Sequence, residues 1–321
     1  MEEMVSANHL LTDEEALRSQ FDRDGYLFFE KIIDQELIHA LRNDITQVLS
    51  DCGWIDSSRP MDAVPIGFPY RENEPEFGAV MRRLGKLESF HAFKHQPAMQ
   101  GLLQKVLGES AFPHPLSLMR ATFPDNPEVA TPPHQDFPNN QGTPQLTACW
   151  TPLGDCPQVL GGLAILRGSH KFGVLPLEYH LGPGARAAVV PDEMAGLEWV
   201  ARDFEAGDTI VFPALTVHRA LPNLTDGQMR LSVDYRFMLE GQELTESCLQ
   251  PHMGGLTWPE VYEGWQSTDY QYYWLEREYQ VVPWDDSYHE LPDEDFAEAL
   301  LEEFKYNKER ERRYRSATGG R

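Results

Sequence analysis

The stretch from Gly207 to Leu239, "GDTIVFPALTVHRALPNLTDGQMRLSVDYRFML", decides the fold. Gly207 and Asp208 form a turn signal, "DTIVFP" is a short apolar run, and a bend leads to His218. The turn-like "PNLTDGQ" then opens "RLSVDYRFML", where residues of opposite character alternate. Two short β-type runs joined by turns, with no helical period between them, fit strands of an antiparallel structure. "LSLMRATF", "QLTACWTPL", "GGLAILRG" and "EWVARDF", upstream, have the same lengths and the same Pro, Gly, Asn and Asp breaks. A parallel α/β sheet would need a crossover helix between successive strands, and few such patterns occur here. A sandwich or barrel fits instead.

Helices are expected before this region. Thr12 with Glu15 reads as a capping box ahead of "ALRSQFDRDGY", and Gly25 ends that helix. "YLFFEKI" reads as a strand. "DQELIHALRNDITQVL" places Leu37, Leu41, Ile45 and Leu49 at four-residue steps, an amphipathic helix. The span 51–76 reads as ordered loop, and 77–106 as helical again. Beyond Glu240, "LTWPEVYEGWQSTDYQYYWLEREYQVVPWDD" is too aromatic for a solvated tail and is expected to wrap against the core. "HELPDEDFAEALLEEF" reads as a last helix. The organisation expected is one domain over 1–321: helical support in 1–110, a β core in 111–240, an aromatic-rich extension in 241–308 and a flexible basic tail in 309–321.

The chain has 321 residues, 51 acidic against 27 basic side chains and a net charge of −24. A field of that sign disfavours nucleic acid and anionic membrane as partners. No apolar run is long enough to span a bilayer, and the acidic N-terminus does not resemble a secretory leader. Four scattered cysteines form no CxxC pair, so a cytoplasmic setting is expected. The expected partner is a small molecule, with oligomeric state left open. Seven Trp, 12 Tyr and 16 Phe supply broad packing surfaces or an aromatic-lined pocket.

"TPPHQDF", Thr131 to Phe137, carries the chemistry. At a strand edge, side chains two apart share a face, so His134 and Asp136 reach one ion while Gln135 points away. His218 is the third candidate ligand. Two imidazoles and one carboxylate make a facial triad with open positions, which suits Fe(II). Zinc also accepts that set, so the ligands alone leave the metal open. Arg230, Ser232 and Asp234 alternate onto one strand face. An inward arginine needs an anion, and a carboxylate meets it bidentately. A dicarboxylate cosubstrate fits, with Ser232 adding a hydroxyl.

"HQD", "GGLAILRGSHK", "GDTIVFPALTVH" and "NLTDGQMRLSVDYRF", with the N-terminal "FDRDGYLFFEKIIDQELIHALRNDI", resemble the phytanoyl-CoA dioxygenase family of Fe(II)- and 2-oxoglutarate-dependent oxygenases. The likeness covers roughly the first 240 residues. It implies a mainly β fold with flanking helices, built on a double-stranded β-helix (a cupin-like jelly roll). It implies O2 as second cosubstrate and succinate and CO2 as products, with hydroxylation of an unactivated C–H the expected outcome. Asp136 argues against halogenation, since related halogenases lack that carboxylate.

The family's metal ligands map onto His134, Asp136 and His218, and its 2-oxoglutarate arginine onto Arg230, with Arg236 the alternative. Trp150 and Thr147 map to the cosubstrate pocket, and Gln135 to the rim facing substrate. His170, in "RGSHK", reads as structural. Two other classes stay open at this point: a jelly-roll metalloenzyme that does not use 2-oxoglutarate, and a non-catalytic binding protein with a vestigial metal site.

Overall fold

Asp13 starts the first helix. Its carboxylate accepts the Ala16 N–H at 3.0 Å, so the cap lies one residue after Thr12. Helix α1 (Glu14–Asp24) ends at Gly25, whose φ of +70° favours glycine. In this computed structural model the residues described are 1–70, 74–124, 130–181, 186–252, 255–290 and 293–318. Helix α2 (Gln35–Asp51) is capped by Asp34 and buries Ile38, Leu41, Ile45 and Leu49. Helices α3 (Pro75–Leu84), α4 (Glu88–Phe93) and α5 (Pro97–Leu107) follow, as the helical pattern of 77–106 predicts.

The strands are β1 (Glu2–Glu3), β2 (Leu27–Phe29), β3 (Ala111–Thr122), β4 (Thr147–Pro152), β5 (Leu163–Leu166), β6 (Leu177–Tyr179), β7 (Arg186–Ala188), β8 (Trp199–Ala201), β9 (Thr209–Pro213), β10 (His218–Ala220) and β11 (Arg230–Leu239). Five of them form an antiparallel sheet in the order β2-β9-β4-β11-β3. Facing it is the sheet β1-β8-β5-β10. The short β6, β7 and β10 were not separable by pattern, because three residues carry no period.

Alternation along β11 organises everything else. Leu231, Val233, Tyr235 and Phe237 join α2, α4 and α5 in the larger core on the outer face. Arg230, Ser232, Asp234 and Arg236 fall on the opposite, inner face. A second core, including Phe28, Trp150, Ile165, Phe204, Ile210 and Phe212, fills the space between the sheets. The result is a jelly roll braced by helices on one side.

The aromatic extension packs as ordered structure. Short α6 (Phe137–Asn140) precedes it, and β12 (Glu243–Thr245) pairs in parallel with β13 (Gln280–Val282). Between them lies α7 (Trp258–Val261). Trp258 and Trp265 sit against His91, and Tyr270 and Tyr273 against His95. The basic tail differs from expectation. Helix α8 runs from Asp293 to Thr318. Arg310 is buried, ion-pairs with Glu74 and stacks over Phe68 at 4.7 Å, while Glu309 pairs with Arg312 and Arg313 one turn on. Residues 319–321 of the expected tail lie outside the described residues.

Candidate active site

His134 and His218 face each other across a single antiparallel bridge. The His134 N–H donates to the His218 carbonyl at 2.9 Å and the His218 N–H to the His134 carbonyl at 3.0 Å. That reciprocal pair sets the ring centroids 4.1 Å apart. Asp136 then leaves the extended path and begins α6 with αR backbone angles. Its Oδ1 lies 3.8 Å from Nε2 of each histidine. The three ligand atoms fall within 4.8 Å of one another.

Each ring is fixed by its other nitrogen. His134 Nδ1 lies 2.8 Å from the Pro132 carbonyl and His218 Nδ1 3.0 Å from the Thr216 carbonyl. Nδ1–H donation to a carbonyl leaves the Nε2 lone pair for a metal. Burial, and then His218, push His134 down to about 3. Burial also lowers His218. Both rings are therefore neutral, as ligation requires. Burial alone would raise the Asp136 carboxyl, but the Arg236 guanidinium beside it outweighs burial and holds the group ionised. Two neutral imidazoles and one carboxylate oxygen are the donor set of a facial triad.

Arg236 is the contact that the sequence did not reveal. Its Nη2 donates to Asp136 Oδ2 at 2.7 Å and to Asp234 Oδ2 at 3.1 Å. Arg230 makes different contacts, donating from Nη1 to Ser232 Oγ at 2.6 Å and from Nη2 to Thr122 Oγ1 at 2.9 Å. A cleft lined by His134, His218, Trp150 and Arg230 joins this arginine to the triad. Trp150 Nε1 is buried there and meets no acceptor among the described residues. An unsatisfied indole donor beside a guanidinium fits an anionic guest. These residues fit both the metal and the dicarboxylate.

Two of the expected residues point elsewhere. Thr147 lies three positions from Trp150 on β4, so the two side chains occupy opposite faces. Its hydroxyl donates to the Gln145 carbonyl, and it borders a separate cavity of about 440 Å³ beside His170 and Leu215. Gln135 is buried and turned away from the substrate rim. It donates to the carbonyls of Gly173 and Leu215 at 2.8 and 2.7 Å and accepts the Leu175 N–H at 2.8 Å. It is a brace between loops. Gln135→Leu leaves three backbone groups without their side-chain partner, the Leu175 N–H among them buried, and should cost about 3 kcal/mol, read as a lower urea midpoint at unchanged slope. His170 Nε2 meets the Asp22 carbonyl at the end of α1. The four cysteines are free thiols.

A larger cavity of about 540 Å³ opens onto His134 and Asp136. Leu116 and Leu118 of β3, with Cys248 and Trp284 of the extension, give it apolar walls, into which Arg120 and Arg186 bring positive charge. None of these wall residues follows from a motif. Arg120 had one signal, a lone cation inside the otherwise apolar "LSLMRATF".

The profile of the phytanoyl-CoA dioxygenase (PhyH) family matches residues 21–232. The chain belongs to the phytanoyl-CoA dioxygenase family. A 1-deoxypentalenic acid 11-beta-hydroxylase of Streptomyces exfoliatus is 26% identical over 276 residues, 81% of this chain and 91% of that protein. The enzyme of the same name from Streptomyces arenae is 28% identical over 262 residues, 78% of this chain and 88% of that one. Among solved structures, apo ThoJ, a non-heme monooxygenase, superposes with a TM-score of 0.50 at 17% identity, covering 95% of this chain and 100% of that one. That likeness concerns the fold.

As a member of this family the chain is an Fe(II)- and 2-oxoglutarate-dependent oxygenase that modifies a small molecule, with O2 as the other cosubstrate. The alternatives without 2-oxoglutarate or without catalysis fall with that assignment. No helix among the described residues is long and apolar enough to cross a membrane.

Proposed function

We propose that this oxygenase hydroxylates a C–H bond of a compact apolar metabolite bearing a carboxylate. The observation that carries the reading is the cavity of about 540 Å³ beside His134 and Asp136, whose wall combines apolar Leu116, Leu118 and Trp284 with the guanidinium groups of Arg120 and Arg186. In a chain of net charge −24, Arg120 and Arg186, beside the carboxylate-paired Arg236, give that cavity a local sign opposite to the whole. The names of the two Streptomyces relatives, hydroxylases of a carboxylic acid, agree with it.

In this reading His134, Asp136 and His218 hold Fe(II), which with 2-oxoglutarate and O2 supplies the oxidant. Arg230 and Ser232 take the far carboxylate of 2-oxoglutarate, and Trp150 closes that cleft with its indole. Arg236 is committed to two carboxylates, which favours Arg230 as the anchor. Arg120 and Arg186 grip the substrate carboxylate. The apolar walls exclude water and set which C–H faces the metal. Cys248 and Trp284 place part of that wall beyond residue 232, where the family match ends, so the extension shapes the substrate.

The test is succinate release across a panel of alicyclic acids and their methyl esters. The acids should turn over and the esters should not. For an accepted acid, Arg120→Met should raise KM by roughly 10–100-fold with kcat changed far less, the loss of one charge-assisted hydrogen bond. Equal turnover of ester and acid, or an unchanged KM in Arg120→Met, would remove the carboxylate from the proposal.

A further inference from the structure

Asp136 faces a guanidinium as well as two imidazoles, and this creates an electrostatic problem. An ion pair of Asp136 with Arg236 alone is neutral. A divalent cation held by that pair and two neutral rings would find no net negative charge from these four side chains. Asp234 alters the sum. It lies two residues from Arg236 on the same strand face and shares the same Nη2. The side chains of Asp136, Arg236 and Asp234 are all at least nine-tenths buried, so water does little to screen them. Together they carry one negative charge. Asp234 Oδ1 meets no donor among the described residues and borders the cleft that holds His134, His218 and Arg230.

The strand geometry makes room for this arrangement. Between Tyr235 and Phe237 the pairing of β11 with β3 jumps from Ser117 to Pro113. Three residues of β3, His114 to Leu116, therefore stand opposite Arg236. On its other side Arg236 pairs with the small Ala148. A bulge of this kind re-aims a side chain and recurs next to active sites.

We propose that Asp234 is a positioning residue for the metal site: by sharing Arg236 it leaves Asp136 with net anionic charge for the metal, while Arg236 fixes Asp136 Oδ2 and leaves Oδ1 toward the histidines. This rests on the reading that His134, Asp136 and His218 hold Fe(II). Asp234 touches neither substrate nor metal in this role. It acts through Arg236.

The experiment is anaerobic Fe(II) binding, by competition with a chromophoric chelator, on the parent chain, Asp234→Asn and the double variant Asp234→Asn with Arg236→Met. Asp234→Asn keeps shape and a hydrogen-bond acceptor but removes the compensating charge. It should weaken Fe(II) binding about 10–100-fold, the usual cost of losing a supporting partner. The double variant removes one charge of each sign from the bridge and should recover affinity to within a few-fold of the parent. A merely structural role predicts no such recovery. An unchanged affinity in Asp234→Asn, or a double variant no better than the single, overturns the inference while leaving the triad in place. If Asp234→Asn does not fold, the double variant decides: parent-like affinity supports the charge balance and a large loss contradicts it. A parent chain that binds no Fe(II) overturns the triad reading and the inference together.

Discussion

Asp136→Ala should abolish turnover and iron binding while the protein stays folded. The expected loss in Fe(II) affinity exceeds the ~10–100-fold typical of a supporting residue, because a ligand itself is removed. Its fold should survive for a specific reason. Arg236 is buried and would otherwise be left as an unpaired charge, a change that costs about 3–5 kcal/mol. Asp234 still meets Arg236 at 3.1 Å and keeps it paired. Calorimetry should therefore show a modest drop in Tm beside a complete loss of 2-oxoglutarate turnover. A variant that unfolds would show that Asp136 mainly serves the core, and a variant that still turns over would remove it from the metal site.

Steep acid unfolding is the second large effect expected. His91, His95 and His114 surround the junction of α4, β3 and the aromatic extension. Burial pushes each of them down to about 3. Lys94 lies among them, itself lowered to about 7 by burial, and lowers the histidines further. Lys94 Nζ donates to the carbonyls of His114 and Pro115 and to Ser117 Oγ, so it pins the β3 bulge opposite Arg236. Below the ordinary histidine value of 6.5 the unfolded chain takes up protons that the folded chain refuses. The stability that depends on these histidines is then complete above pH 6.5 and falls as pH drops toward 3. Three such groups give a slope of up to about 4 kcal/mol per pH unit. Against a typical total stability of about 5–15 kcal/mol, cooperative unfolding is expected near pH 5. Tryptophan emission reports it, since Trp258 packs edge-on and Trp265 tilted against His91. His91→Phe should move the midpoint to lower pH. A parent protein folded at pH 4, with a flat stability between 4 and 7, would contradict these assignments.

The candidate metal ligands were legible because two of the three lie in one short motif and the third follows an unmistakable strand. The β core was legible from strand lengths and breaks. Arg236 illustrates what was not. Arg230 and Arg236 share a face of β11, and a period of two cannot tell which arginine meets which carboxylate. The answer lies 100 residues away, at Asp136. Gln135 was misplaced because the extended path stops at His134: once Asp136 enters α6, its neighbour is free to face the loop at Gly173. Thr147 was avoidable, since parity with Trp150 already put the two on opposite faces. The last helix extends through the basic stretch because Arg310 finds Glu74 and Phe68, partners in a loop more than 200 positions earlier.

The most direct test of the central claim is anaerobic absorption spectroscopy. Fe(II) and then 2-oxoglutarate are added to metal-free protein, alongside Asp136→Ala and Arg230→Met. A visible metal-to-ligand charge-transfer band should develop in the parent, be absent in Asp136→Ala, and need far more 2-oxoglutarate in Arg230→Met. A parent protein that is folded and iron-loaded yet shows no band, or an Arg230→Met variant that saturates like the parent, would contradict the assignment of these residues to one site.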